Sequence, residues 1–207
     1  MIEVSVHRQA ALAHLRWDGG ERTVLLLHGV GGGRESWGDA LSGTGLAIAR
    51  AGYRVIAVDL PGYGDSAPVE PYNFHHIALA VARLIDALGA PVAIVGHSMG
   101  GMVAQELMAW APQGVAALLL TGTSPAFGKR DGAWQQEFLS QRLAPLDAGA
   151  GMAGLAPGLV RGMAAEQAPH DAVARATLLM SAVPEATYRK ALAALAGFDR
   201  RELLADL

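Results

Sequence analysis

A serine between two glycines offers the clearest chemistry in this sequence. Ser98 lies in the run GHSMGG (residues 96–101), which directly follows the apolar run VAIV (residues 92–95). A strand before such a G-x-S-x-G pattern and a helix after it form a sharp turn that exposes the serine hydroxyl. Gly96 and Gly100 lack the Cβ atoms that would clash across this turn. The pattern predicts that Ser98 is a nucleophile; the alternative is a glycine-rich turn with an idle serine.

A second glycine-rich loop could stabilise the charge that a nucleophilic serine creates on a carbonyl oxygen. The run LHGVGGG (residues 27–33) closes the apolar segment Thr23–Leu27. Acyl transfer needs N–H donors aimed at this oxyanion, and the loss of one donor slows the reaction about 10²–10³-fold. We predict that the donors are the N–H groups of Met99, which follows the nucleophile, and of Val30 in this loop. A phosphate-binding loop is disfavoured, because no G-x-G-x-x-G pattern and no following lysine are present.

A third loop, DLPGYGDS (residues 59–66), follows the apolar segment Arg54–Val58. Its glycines and proline predict a sharp turn at the end of a strand. Asp59 is expected to accept hydrogen bonds from the loop backbone. A catalytic role for this carboxylate is the less favoured alternative.

The elements that position these loops follow from the hydrophobic pattern. Short apolar runs without alternation predict strands that are buried on both faces, as in a parallel sheet; they are Thr23–Leu27, Arg54–Val58, residues 92–95 and Val115–Thr121. Helices are predicted between them, at residues 41–51, Phe74–Leu88 and Met99–Trp110. This order predicts an α/β fold with right-handed crossovers. Residues 2–7 and 11–17 alternate between apolar and polar and predict an antiparallel hairpin at the sheet edge.

The pattern of strands stops after residue 121. A helix is expected to open near Asp131, and two more are predicted at residues 172–182 and 184–196. Residues 147–162, which lie between the first of these helices and the other two, are rich in Gly, Ala and Pro, and we expect this section to be loose. The segment therefore resembles a helical insertion over a sheet.

The composition excludes several classes of protein. The chain has 207 residues, of which 52% are hydrophobic and 17% charged, so it is not intrinsically disordered. The net charge of −3 argues against a nucleic-acid partner, and the absence of cysteine excludes disulfides and a Cys nucleophile. No signal peptide and no membrane span are recognised, so a cytoplasmic location is expected. We predict no metal site and no cofactor.

The three motifs together, LLLHGVGG, VDLPGYGDS and VGHSMGGMVAQ, resemble those of the α/β-hydrolase superfamily. Within it the chain looks most like small bacterial esterases, 3-oxoadipate enol-lactonases and carbon–carbon bond hydrolases. The resemblance implies an α/β-hydrolase core at residues 1–123 with a mostly parallel sheet, a helical cap at residues 124–197, and the start of a return to the core at residues 198–207.

The resemblance also implies functional residues. It assigns Ser98 as the nucleophile and the N–H groups of Val30 and Met99 as the oxyanion hole. It places Trp37 near the substrate pocket, and Gly29 of the loop at residues 27–33, here called the oxyanion loop, is a further expected substrate contact. The cap would add Trp134 and Phe138 as apolar substrate contacts, although such side chains can equally pack the cap's own core.

The pattern of the family fails at one point. The nucleophile should be followed by an acid and then by a histidine, but the only later histidine is His170 and residues 122–124 carry no carboxylate. His170 is expected to be a surface residue at a helix start. We therefore expect the chain to end before the last strands of the sheet, which carry the acid and the base, and the isolated chain to be nearly inactive.

Two functions of different classes follow. The first is a serine hydrolase that acts on a small ester, lactone or activated ketone through an acyl-enzyme on Ser98, with this small-molecule carbonyl substrate as its partner. The alternative is a non-catalytic ligand-binding protein, or a catalytically incomplete fragment, on the same scaffold. The oligomeric state is not predicted.

Overall fold

A six-stranded sheet forms the centre of the molecule, with strand order β1-β2-β4-β3-β5-β6. The computed structural model describes residues 2–129 and 132–205. The strands are β1 (Val4–Gln9), β2 (Leu12–Asp18), β3 (Thr23–Leu27), β4 (Arg54–Val58), β5 (Val92–His97) and β6 (Val115–Thr121). The helices are α1 (Thr44–Arg50), α2 (Phe74–Leu88), α3 (Met99–Trp110), α4 (Ala133–Asp147), α5 (Gly151–Met163), α6 (His170–Ser181) and α7 (Glu185–Ala196).

The pairing of the strands confirms the predicted mixed sheet. β1 and β2 form an antiparallel hairpin at one edge, and β2 also pairs antiparallel with β4. The remaining pairs, β4 with β3, β3 with β5 and β5 with β6, are parallel. Because parallel strands end at the same edge of the sheet, Leu27 of β3 lies opposite both Val58 of β4 and Gly96 of β5. The three glycine-containing loops therefore begin side by side.

The central strands are buried on both faces, as their unbroken apolar runs predict. Alternate residues of β3 divide between two cores: Val24 and Leu26 pack on the side of α1, and Leu25 and Leu27 pack on the side of α2 and α3. All five residues of β3 are buried. Helix α1 is shorter than predicted, because it begins at Thr44 rather than near residue 41.

The prediction that β6 is buried on both faces is wrong. β6 is a strand, but most of its residues are exposed, and the side chains of Leu119 and Leu120 expose 56% and 37% of their surface. Among the described residues, β6 pairs only with β5, so one of its edges has no neighbouring strand. An apolar run thus predicts a strand but not how many neighbours the strand has.

The prediction of a loose section at residues 147–162 is also wrong. Most of it forms α5, which buries Met152, Leu155, Ala156 and Val160 although Pro157 lies within the helix. These residues recur at helical spacing, so tertiary burial of one apolar face outweighs the low helix propensity of Gly and Pro. The expected helix start near Asp131 lies outside the described residues; α4 begins at Ala133.

The chain returns toward the sheet after α7. Phe198 is buried and its ring lies 4.6 Å from that of Phe74 at the start of α2. Asp199 forms an antiparallel bridge with Ala126. The two ends of the helical segment α4–α7 are therefore held together, and its C-terminal end packs on α2.

Candidate active site

Ser98 occupies a strained turn between β5 and α3. Its backbone has φ 52° and ψ −119°, a region that residues with a side chain rarely adopt. Hydrogen bonds hold this conformation: the Ser98 N–H donates to the Thr121 carbonyl at 3.0 Å, and the Ser98 carbonyl accepts from the N–H of Gly101 at 2.9 Å. Backbone strain of this kind persists only where the surroundings enforce it and is typical of functional sites.

The glycines beside Ser98 are required by space, as predicted. A Cβ atom on Gly100 would lie 2.2 Å from the carbonyl oxygen of Leu27, and one on Gly96 would lie 2.7 Å from the Cα of Gly101. Both obstacles are backbone atoms, which cannot rotate away. The start of α3 can therefore approach the end of β3 only because these side chains are absent.

The glycine-rich loop after β3 lies directly beside Ser98. A Cβ atom on Gly29 would be 3.2 Å from the Cβ of Ser98. The buried ring of His28 anchors the loop, since its Nδ1–H donates to the Gly29 carbonyl at 2.8 Å and its Nε2 accepts from the Leu60 N–H at 3.0 Å. Burial lowers the pKa of His28 to about 4, although the bond to Gly29 opposes that shift. The ring is therefore neutral near pH 7, with its proton on Nδ1.

The two amides assigned to the oxyanion hole have free N–H groups in the described part of the chain. Within the described part of the chain, neither the Val30 N–H nor the Met99 N–H donates a hydrogen bond. Met99 is the first residue of α3, where free N–H groups carry the positive end of the helix dipole. Unpaired donors beside a strained serine provide the chemistry that a developing oxyanion needs.

Asp59 links the loops that follow β3 and β4, as the structural interpretation of its motif predicts. Its carboxylate is 1% exposed and forms an ion pair with the Arg34 guanidinium at 2.9 Å. It also accepts from the backbone N–H of Arg34 at 2.8 Å and of Asp65 at 3.3 Å. This carboxylate thus ties the oxyanion loop to the loop after β4.

The aromatic residues expected near the substrate lie in two places. Trp37 is half-buried and packs on the core around α1, with its Nε1 buried and without a partner. Trp134 is 46% exposed and stacks on Phe138 with ring centroids 5.4 Å apart, and both rings contact Phe127. None of the described ring contacts joins them to Ser98, so their role in substrate binding stays a prediction.

None of the described hydrogen bonds joins a histidine to the Ser98 hydroxyl. His170 is exposed at the first residue of α6, as expected. His76 bonds Asn73, and His75 packs edge-on against Trp110. In the part of the chain that the structure describes, no hydrogen-bond partner of Ser98 Oγ is present. The described residues therefore contain the candidate nucleophile and the candidate oxyanion donors without a bonded base.

Two contacts from the helical segment were not predicted. Gly31 of the oxyanion loop lies against Met180 of α6, since a Cβ on Gly31 would be 3.0 Å from the Met180 Cε. Arg175 of the same helix donates to the Glu35 carbonyl at 2.7 Å and pairs with Asp39 at 3.2 Å. These partners are about 140 residues apart in sequence, so no local pattern could have indicated them.

The described ranges contain neither a metal centre nor a membrane-spanning helix. No group of three or more His, Cys, Asp or Glu side chains there could hold a metal ion. None of the described helices combines the length and the apolar character needed to cross a membrane.

Comparison with known proteins adds an independent line of evidence. A sequence model described as the alpha/beta hydrolase family matches residues 24–206. The acetyltransferase component of the acetoin cleaving system of Cupriavidus necator is 42% identical over 109 residues, which is 52% of this chain and 28% of that protein. The pimeloyl-[acyl-carrier protein] methyl ester esterase of Neisseria meningitidis is 34% identical over 132 residues, 56% of this chain and 48% of that protein.

Solved structures share the fold over the whole chain. An esterase from Exiguobacterium antarcticum superimposes with a TM-score of 0.81 at 20% identity, covering 100% of this chain and 78% of that one. A bromoperoxidase from Bacillus anthracis gives 0.81 at 19% identity, with 99% and 78% covered. The matched region thus spans less than half of these curated relatives and about three quarters of these solved chains.

Proposed function

Because the chain belongs to the alpha/beta hydrolase family, we propose that it is a serine hydrolase that acts on a small ester, lactone or activated ketone through an acyl-enzyme on Ser98. One observation carries the proposal: a serine with φ 52° lies at a strand-to-helix turn beside a glycine-rich loop. A binding protein has no need of this strained serine. The esterase named among the relatives acts on a methyl ester, which supports a carboxylic ester as the substrate class.

The proposed reaction begins when Ser98 Oγ attacks the carbonyl carbon of the substrate. The carbonyl oxygen becomes an oxyanion, which the N–H groups of Val30 and Met99 stabilise. The alcohol then leaves, and water releases the acid from the serine. A base must take the serine proton and return it to the departing alcohol, and the family order of the triad implies a histidine that follows the acid in sequence.

We also propose that α4–α7 cap this site. The support comes from α6, because Met180 lies against Gly31 of the oxyanion loop and Arg175 bonds the loop that follows. A methionine in this position favours an apolar group on the substrate. Gly29, Trp37, Trp134 and Phe138 remain the proposed substrate contacts.

Labelling with a fluorophosphonate, which reacts with activated serines, tests the proposal. The protein is treated and its intact mass is measured, together with hydrolysis of p-nitrophenyl acetate. We expect one adduct on a protein that contains the base and the acid of the triad and none on its Ser98→Ala variant, whereas residues 1–207 alone should react slowly because the serine lacks a base. Ser181→Ala serves as the matched control, because Ser181 lies in α6 and its hydroxyl donates only to the Thr177 carbonyl.

The outcomes separate the two functions. Equal labelling of Ser98→Ala and the unchanged protein would refute the assignment of the nucleophile. Binding of a small ester without labelling or turnover would favour the non-catalytic alternative.

A further inference from the structure

The peptide that carries the Val30 N–H is held from its opposite side. This peptide joins Gly29 to Val30, and its carbonyl oxygen accepts hydrogen bonds from His28 Nδ1 at 2.8 Å and from the Gly32 N–H at 3.0 Å. A trans peptide is planar, and its C=O and N–H point in opposite directions. The direction of the Val30 N–H is therefore determined by the donors on the Gly29 carbonyl.

The next peptide is held by a tyrosine from another loop. The Tyr63 hydroxyl donates to the Val30 carbonyl at 3.0 Å, and its side chain is 1% exposed. Burial raises the pKa of this phenol well above its usual value, so the hydroxyl keeps its proton and remains a donor. The Tyr63 ring also packs edge-on against the His28 ring, with centroids 4.7 Å apart.

The loop that follows β4 provides the Tyr63 bond directly and supports the His28 bond indirectly. The Leu60 N–H donates to His28 Nε2 at 3.0 Å, and the Tyr63 N–H donates to the Leu60 carbonyl at 2.9 Å. The peptides on both sides of Val30 are thus fixed by one neighbouring structure. Such restraint matters here because glycines occupy positions 29 and 31–33 of the oxyanion loop, and glycine gives a backbone little stiffness of its own.

We propose that Tyr63 is a positioning residue for the oxyanion hole. The Tyr63 hydroxyl holds the Val30 carbonyl, while His28 holds the preceding peptide. Together these bonds fix the backbone angles of Val30 and keep its N–H aimed at the developing oxyanion. The inference rests on the proposed function, since it assigns a task to Tyr63 in the same reaction.

The test compares Tyr63→Phe with Thr187→Val. Tyr63→Phe removes the hydroxyl and leaves the ring against His28. Thr187→Val is the matched control, because the buried Thr187 hydroxyl donates to the Gly62 carbonyl in the same loop at 2.9 Å, and none of the described hydrogen bonds joins it to the oxyanion loop. The first readout is the amide resonance of Val30 in a ¹H–¹⁵N spectrum, which does not depend on activity. The second is the rate at which the fluorophosphonate labels Ser98.

We expect Tyr63→Phe to shift the Val30 resonance and to slow labelling about tenfold, less than the 10²–10³-fold loss of a whole donor because the N–H is misaimed rather than absent. Thr187→Val should leave both readouts unchanged at a similar melting temperature. An unchanged Val30 resonance in Tyr63→Phe, or equal effects of the two variants, would overturn the inference.

Failure of the proposed function gives a different pattern. If Ser98→Ala is labelled like the unchanged protein, the nucleophile is wrongly assigned, whereas the Val30 resonance still reports whether Tyr63 orients this amide. A shifted resonance with unchanged labelling of Ser98 would leave Ser98 as the nucleophile and refute the catalytic task of Tyr63.

Discussion

Glycine serves opposite purposes in two regions of this protein. Around Ser98 the glycines lie where no side chain fits: a Cβ on Gly100 would be 2.2 Å from a backbone oxygen. In α5, Gly158 and Gly162 lie in open space, and a Cβ on either would meet no atom within 4 Å. The two regions are similarly rich in glycine in the sequence, but packing requires the glycines beside Ser98 and does not require Gly158 and Gly162.

The two regions differ in the kind of group that they bury. The loops at the ends of β3, β4 and β5 bury their polar groups and their tight turns against each other. The helical segment buries apolar side chains on one face and leaves its charges at the surface, as in the ion pairs of Arg189 with Glu185 and Asp147. Equivalent substitutions should therefore have unequal effects in the two regions.

The largest expected effect is that of Gly100→Ala. The new methyl group would collide with the Leu27 and His28 carbonyl oxygens, at 2.2 and 2.7 Å, and backbone atoms cannot move aside. We expect a loss of more than about 4 kcal/mol in the free energy of unfolding, measured by urea denaturation. Gly162→Ala in α5 is the control, and a loss of similar size there would contradict the comparison.

Asp59→Asn should have the next largest effect. It removes the buried partner of the Arg34 guanidinium, whose side chain is only 12% exposed and keeps only the more exposed carboxylates of Glu35 and Asp65. Breaking such a pair costs about 3 kcal/mol, and urea denaturation at pH 7 measures it. The contrasting substitution is Glu185→Gln, which removes a partner that is 39% exposed and should change stability by less than about 0.5 kcal/mol. Equal losses of stability in the two variants would show that the burial of an ion pair does not determine how much it stabilises the protein.

The central loops and strands should also make the protein sensitive to acid. Burial lowers the pKa of His14 and of His28 from 6.5 to about 4, and both side chains are 1–2% exposed. The unfolded chain binds these protons first, so stability is complete above pH 6.5 and falls between pH 6.5 and 4. Each histidine contributes about 3 kcal/mol to this loss.

The variant His14→Gln tests this dependence, because it removes one titrating ring. Urea denaturation from pH 7 to pH 4 should give a shallower decline in this variant than in the unchanged protein. An identical decline would mean that His14 is already accessible to protons in the folded state.

The smallest expected effect has the opposite sign. Gly158 lies inside α5 without a positive φ and with open space around it. Alanine there reduces the entropy of the unfolded chain, so Gly158→Ala should stabilise the protein by about 0.5–1 kcal/mol. The melting temperature should rise by a few degrees and labelling of Ser98 should be unchanged. Destabilisation by Gly158→Ala would mean that other residues pack against this face of α5.

The sequence predicted the parts of the site that depend on neighbours in the chain. The turn at Ser98, its two required glycines and the structural role of Asp59 follow from local motifs, and the structure contains all of them. The positions of the strands, their mostly parallel arrangement and the N-terminal hairpin also agree, because alternation and apolar runs reflect the local geometry of a strand. The prediction failed where burial is set by distant partners, at the exposed β6 and the ordered α5.

The sequence by itself thus determined which residues can do chemistry and which elements carry them, since a tight turn or a buried strand needs particular residues at fixed spacing. Only the tertiary structure decided what surrounds them. It placed Tyr63 on the Val30 carbonyl and Met180 on Gly31, and it left the edge of β6 without a strand among the described residues. Such contacts join residues far apart in the chain, and a hydroxyl or a thioether can pack in many places, so their positions depend on how the whole sheet and its helices assemble.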